Sequence, residues 1–239
     1  MRLHRFYVSQ PLGEEVVIEE VSLIKQWLKV FRYSKDDCVI LFNGDGHDYT
    51  YELLATSHSS CVLTLKEKRS TPLPSRKCYL FLSLIKKDLF ELAVEKAVEL
   101  GVTDIVPIVS ARTEKKQLNT ERITTIIREA TEQSGRSELL TLHSVCDFTE
   151  ALTMLPDFSV HKKHTHPATL SGVSFYEIMG DRNITQSNAC AFFVGPEGGW
   201  SAEEEELFKK QEFTCISLSE TVLRSETAAI TCALLSKIL

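Results

Sequence analysis

A chain of 239 residues, 43% apolar, 25% charged and 8% aromatic, is long enough for one large domain or two small ones. Ten Gly and seven Pro are too few for a collagen or a Pro/Gly-rich disordered chain, and the apolar share is too high for disorder. No stretch approaches the roughly 20 apolar residues of a transmembrane helix. Met1 to Gln10 carries charges with no apolar run behind them, so the expectation is a cytoplasmic protein with no secretory signal and no membrane partner. Net charge is −6, and neither the part up to Ser75 (9 basic, 10 acidic) nor the rest (18 and 23) is basic. Phosphate contacts dominate nucleic-acid affinity, so any RNA binding must use a local patch. Seven scattered cysteines form no C-x-x-C pair and read as reduced core thiols.

The first seventy residues read mostly as strands: Leu3 to Val8, Cys38 to Phe42, Tyr49 to Ala55 and Cys61 to Leu65. Asn43-Gly44-Asp45-Gly46 is a turn signal. Leu23, Ile24, Trp27, Leu28 and Phe31 share one helical face. Short strands, turns and one helix suggest a small β-barrel over 1–70. Residues 69–76 hold two prolines and few apolar side chains and read as a linker.

A second domain, 76–239, alternates strands and helices, which argues for a mostly parallel sheet with helices on both faces. Cys78 to Ile85 is a strand, followed by a helix that starts at Asp88 with Glu91 completing a capping box and ends at Gly101. Val102 to Val109 is a strand and Glu121 to Ser134 a helix ended by Gly135. Leu139 to Val145 is a short strand, Asp147 to Leu155 a helix, and Ser159 to Thr165 a weak strand. Ala189 to Val194 is a buried strand, Ser201 and Glu204 form a capping box, Thr214 to Leu218 is a short strand, and Thr227 to Leu239 an apolar helix.

Three segments carry candidate chemistry. Gly195-Pro196-Glu197-Gly198-Gly199 follows the strongest strand, where ligands bind in open α/β sheets. It is either a close-approach loop or a tight turn, and matches neither a Walker loop nor G-x-G-x-x-G. Leu223-Arg224-Ser225-Glu226-Thr227 is a helix start that Ser225 or Thr227 would cap. Glu132-Gln133-Ser134-Gly135-Arg136 ends a helix with an Arg suited to a phosphate. His161, His164 and His166 lack the Cys or carboxylate that a zinc site needs, so no metal is expected. Arg2, His4 and Arg5 are one edge of a basic patch or a solvated barrel face.

Leu3-His4-Arg5-Phe6-Tyr7, Glu132 to Arg136, Val194 to Gly199 and Leu223 to Ala228 occur in the order and approximate spacing of the RsmE family, bacterial 16S ribosomal RNA uridine-N3 methyltransferases, which the chain resembles over nearly its whole length. The resemblance implies an N-terminal PUA-like β-barrel, a C-terminal SPOUT α/β domain with a trefoil knot, a homodimer, and S-adenosylmethionine as cofactor. It implies a cofactor pocket walled by Val194, Gly195, Pro196, Glu197, Gly198 and Gly199, by Leu218, Leu223, Arg224 and Thr227, and by a loop at His166-Pro167. Arg2, Arg5 and Arg136 would bind RNA; Arg136, Arg224 and Glu197 are the catalytic candidates. Three departures stand out: Ser225 replaces the usual Thr, Glu138-Leu139-Leu140 replaces the usual Val-Pro, and 161–171 matches loosely.

The implied reaction is in-line methyl transfer to a uridine N3, whose proton must leave with help from a base or a cation that stabilises the anion. The target base is unpaired or flipped out, and the acidic net charge favours an assembled small subunit as substrate. Competing readings are another SPOUT enzyme (ribose 2′-O or transfer RNA), a non-catalytic ribosome-binding factor, and an unrelated α/β enzyme.

Overall fold

The computed structural model describes residues 3–71, 74, 76–155, 165–179 and 189–237. Arg2, His161, His164 and nearly all of the strand expected over Ser159 to Thr165 lie outside the described residues. The chain divides into two compact units: Met1–Leu73 with Thr131–Leu139, and Pro74–Ala130 with Leu140–Leu239.

The first unit is a curled five-stranded sheet in the order β1-β3-β4-β5-β2. Its strands are β1 (Arg5–Tyr7), β2 (Glu15–Ile18), β3 (Cys38–Phe42), β4 (His47–Thr56) and β5 (Cys61–Ser70). β1 and β3 pair in parallel and the other ladders are antiparallel. The β4/β5 register slips twice, and such bulges bend a strand and help the sheet curl. β5 continues through Ser70, so Arg69 and Ser70 belong to a strand rather than to the expected linker. The long β4 supplies partners that far, with His47 opposite Ser70.

The helical stripe is α-helical only over α1 (Val21–Lys25) and widens to a π-helical turn over Gln26–Phe31. The N–H groups of Arg32 and Tyr33 both reach the Trp27 carbonyl. The wider turn keeps Trp27 fully buried and lays the Phe31 ring against His4, centroids 4.2 Å apart. Trp27 joins Phe6, Val16, Ile18, Leu41, Tyr51 and Leu63 in one core, with Phe31 packed against it.

The second unit is a seven-stranded sheet, all of whose ladders are parallel, in the order β12-β10-β11-β6-β7-β8, with β9 also on β7. Its strands are β6 (Lys77–Ser83), β7 (Asp104–Val109), β8 (Thr141–Leu142), β9 (Cys146–Asp147), β10 (Thr165–Ser174), β11 (Ala189–Val194) and β12 (Ile216–Ser217). Its helices are α2 (Lys87–Glu99), α3 (Thr120–Ser134), α4 (Phe148–Met154), α5 (Phe175–Met179), α6 (Ala202–Lys210) and α7 (Ser225–Leu235); the end of α3 belongs to the first unit. β11 is buried at every position, as a central parallel strand covered on both faces must be. On one face Phe81 and Phe193, register partners, stack 4.2 Å apart beneath α4 and α6. On the other, α7 packs on α2, β6 and β11.

Two helix starts differ from expectation. α2 begins at Lys87 with Lys86 as N-cap and no side-chain cap; Asp88 lies inside the first turn and Glu91 pairs with Lys87 and Arg122 instead. α7 begins at Ser225 with Arg224 as N-cap, so neither Ser225 nor Thr227 caps it. The Ser201–Glu204 box is present with both of its bonds.

Candidate functional site

In a parallel sheet all carboxyl ends lie along one edge, and the order β12-β10-β11 makes the connections after these three strands neighbours. The expected loop at His166-Pro167 is strand instead: His166 pairs with Phe192 and Pro167 with Phe193, and both are buried. The His166 ring lies 5.5 Å from the Phe192 ring, with Nδ1 3.4 Å from the Thr214 carbonyl. The loop comes slightly later. Ala168 and Val173 both align with Ile216, so residues 169–172 bulge out of β10. Gly172 allows this, because a Cβ there would stand 2.5 Å from the Ile216 backbone carbon. The Thr169 hydroxyl oxygen is buried and has no hydrogen-bond partner among the described residues.

After Val194, the 195–199 loop closes on itself: Gly199, at φ +68°, donates to the Pro196 carbonyl at 2.9 Å. A Cβ on Gly195 would sit 3.1 Å from the Trp200 indole. That indole donates to the Ala168 carbonyl at 2.9 Å and so joins the loop to the bulge. Glu197 is exposed, and its carboxylate accepts from the Lys86 backbone N–H at 3.1 Å. The Gly198 carbonyl accepts from the Arg112 guanidinium at 2.8 Å. Glu204, buried in α6, accepts from the Ala111 N–H and from the Ser201 N–H, each at 2.8 Å. The Glu203 carboxyl is held below its ordinary range by the helix-start N–H, the Ser201 hydroxyl and the positive charge of Arg112. The turns after β6, β7 and β11 thus form one hydrogen-bonded assembly. Lys86, Arg112, Trp200 and Glu204 are its unexpected members; their signal is position, each lying just after a strand that ends at this edge.

The third wall leaves β12 through Leu218, which is buried, and Leu223, which is half-buried. Arg224 and Thr227 are exposed at the start of α7. Glu226 is buried there, and its Oε2 has no hydrogen-bond partner among the described residues.

Arg5 has a different place from the RNA-facing one expected. Its side chain is 10% exposed and grips the Asp48 carboxylate through Nη2 at 2.7 Å and Nε at 3.1 Å. It also donates to the Thr131 and Arg136 carbonyls and the Ser137 hydroxyl, and lies 4.5 Å from the Phe42 ring centre. Glu132 accepts from the Tyr7 N–H at 3.0 Å. The Glu132-to-Arg136 motif is therefore fastened to β1, with Arg136 half-buried.

No described helix is long and apolar enough to cross a membrane, and the described residues hold no group of three metal-ligating side chains. The RNA methyltransferase domain model matches residues 71–237. The ribosomal RNA small subunit methyltransferase E of Helicobacter pylori strain 26695 is 31% identical over 243 residues, covering 97% of this chain and 99% of that one. The chain belongs to that family. The Rickettsia conorii member is 29% identical over 234 residues, covering 97% of this chain and 93% of the relative. A crystal structure of the Neisseria gonorrhoeae member bound to S-adenosyl methionine matches with a TM-score of 0.87 at 25% identity, over 99% of this chain and 97% of that one. The fold is thus the SPOUT fold of the methyltransferase E family, joined to a curled N-terminal sheet.

Proposed function

We propose that the chain is an S-adenosylmethionine-dependent methyltransferase that modifies N3 of a uridine in 16S ribosomal RNA, with the assembled small subunit as substrate. The observation that carries the reading is the meeting of three irregular segments, 169–172, 195–199 and 218–224, at one sheet edge in a chain of this family. The residues fit the cofactor. The glycine loop exposes backbone that can read an adenine edge, and the Thr169 hydroxyl in the neighbouring bulge has no hydrogen-bond partner among the described residues. Gly195 to Gly199, Leu218, Leu223, Arg224 and Thr227 hold it, with His166, Pro167 and Val194 as the strand ends beneath.

The bound cofactor supplies an electrophilic methyl group on a sulfonium. The chain's own task is alignment and charge. Arg224, exposed at the rim, stabilises the uridine anion as the N3 proton passes to water, and Arg136, within the first unit, is a candidate for an RNA phosphate. Glu197, engaged with the Lys86 N–H, fixes the loop rather than accepting that proton. A homodimer completes the reading; the exposed Leu234 on the otherwise well-buried α7 suits such a contact.

The test is calorimetric titration of S-adenosylhomocysteine into the wild type and Gly198→Trp. Binding by the wild type that the substitution abolishes is expected, and no binding by folded wild type overturns the reading. Nucleoside mass spectrometry of unmodified small subunits treated with the protein and cofactor then assigns the methylated atom. N3-methyluridine is expected, and a ribose 2′-O-methyl product would move the chain to another SPOUT activity.

A further inference from the structure

An acidic chain that works on RNA needs a concentrated basic surface, and the second unit has one beside the glycine loop. The turn after β6 carries exposed Lys86 and Lys87, and the connection after β7 carries exposed Arg112, Lys115 and Lys116. Only Asp88 and Glu114 oppose them within those two stretches. Glu91 is occupied by Lys87 at 3.7 Å and by Arg122 at 3.2 Å. Among the described residues no carboxylate pairs with the side chains of Lys86, Lys115 or Lys116. The surface is physically joined to the proposed cofactor site, since Glu197 holds the Lys86 backbone and Arg112 holds the Gly198 carbonyl.

A small depression, about 50 Å³, separates the β6–α2 turn from the segment that follows Lys115, with Lys87, Lys115 and the Lys87-paired Glu91 in its lining. Leu84, Ile85 and Phe90 beneath it are buried, so the surface meets RNA through its cationic side chains rather than through base stacking. Lysine ammonium groups on flexible stems act there as point charges and read no sequence.

We infer that Lys86, Lys87, Arg112, Lys115 and Lys116 form a phosphate-tracking surface that guides single-stranded ribosomal RNA across the carboxyl edge of the sheet towards the glycine loop. The inference rests on the proposed RNA methyltransferase function and adds the path by which the substrate enters. Arg112 couples the two sites, because a phosphate that draws its guanidinium away would loosen the Gly198 carbonyl.

The test compares Lys115→Ala/Lys116→Ala with a matched control, Lys209→Ala/Lys210→Ala, which removes two exposed lysines from the far end of α6. Binding of unmodified small subunits is measured between 50 and 200 mM salt, on the order of the range where phosphate contacts dominate. Each contact to a single strand contributes roughly 0.7 to the log–log salt slope, so the 115/116 pair should lower it by about 1.4 and weaken binding about 25-fold near 0.1 M salt. The control should change neither. S-adenosylhomocysteine binding, measured in parallel, should be unaffected in both variants. Equal effects of the two pairs, or wild-type binding without salt dependence, overturn the surface even when cofactor binding is normal. Loss of cofactor binding in the wild type instead overturns the proposed function, and the RNA comparison still reads the surface by itself.

Discussion

Replacing Arg5 with alanine separates a clamp from an RNA contact. The substitution leaves Asp48, 4% exposed, carrying a charge whose remaining partners among the described residues are the Ser137 hydroxyl and the distant Arg69. Arg69 stands 4.0 Å away on a side chain that is 71% exposed, so its compensation is screened and worth at most about 1 kcal/mol. Breaking one side of a buried pair costs about 3–5 kcal/mol. The lost bonds to the Thr131 and Arg136 carbonyls belong to the same network and are not additional. A solvent-facing arginine would cost no more than about 0.5 kcal/mol. Urea unfolding read from Trp27, in a Trp200→Phe background, reports the first unit, because Trp27 lies in its core and Trp200 in the second. With a slope of about 2 kcal/mol per molar urea, the midpoint should fall by about 1.5–2.5 M. The double variant Arg5→Ala/Asp48→Ala should lose about 2 kcal/mol less than the sum of the single losses. A loss under about 1 kcal/mol for Arg5→Ala, or strict additivity in the cycle, refutes the clamp.

Gly172→Ala should cost about 1–3 kcal/mol and weaken S-adenosylhomocysteine binding, because its Cβ meets the Ile216 backbone rather than a movable side chain; thermal melts and calorimetry check both. Ser201→Ala should cost about 1 kcal/mol as a lost helix cap. Glu204→Ala should cost more, about 1.5–3 kcal/mol, since it removes charge-assisted bonds to both the Ala111 and Ser201 N–H groups; the reverse order in denaturant titrations would contradict the interloop role. Alkylation of the native protein at pH 8 should label half-exposed Cys38 before Cys215, which is also half-exposed but whose thiol is pushed up by burial and then by Glu205. Cys146, whose thiol is pushed up to about 11 by burial and then by Glu150 and Asp147, and Cys232, pushed up by burial and then by Cys190, should label only on unfolding, as counted by mass spectrometry.

The elements that sequence reasoning places well are those whose signal is local. β3 and β11 have the bounds expected, Cys38–Phe42 and Ala189–Val194, because each is an apolar run stopped by a glycine turn. The Ser201 box is equally local. β2 carries no such local signal: within this short acidic segment Val16 and Ile18 point inward, and the partner β5 lies more than forty residues away. The start of α2 shifts because the Lys86 N–H bonds a side chain from the loop after β11, which no spacing near residue 86 reveals. The same reason hides the role of Arg5, whose residue type suits an RNA edge and whose partners come from β4 and the end of α3. At the candidate site the glycine loop is legible from residue type. Its supports are not, because the pairs 86 with 197, 112 with 198 and 111 with 204 are created by the parallel order of β6, β7 and β11.

The acidic balance of the chain and an RNA substrate are compatible because the charges are spent differently. Glu203, Glu204 and Glu205 lie in the first turn of α6, where the helix dipole favours anions, and Glu204 is turned inward to bond two backbone N–H groups. Glu132 and Asp48 are likewise consumed within the fold, one on a backbone N–H and one on Arg5. Among the described residues no carboxylate pairs with the side chains of Lys86, Lys115 or Lys116. At about 0.1 M salt the screening length is about 10 Å, so a phosphate at contact distance from these lysines feels them far more than the dispersed net charge of −6. Sign at the site, rather than sign of the whole, then decides whether RNA is drawn to the carboxyl edge, and the 115/116 pair is where that distinction is measurable.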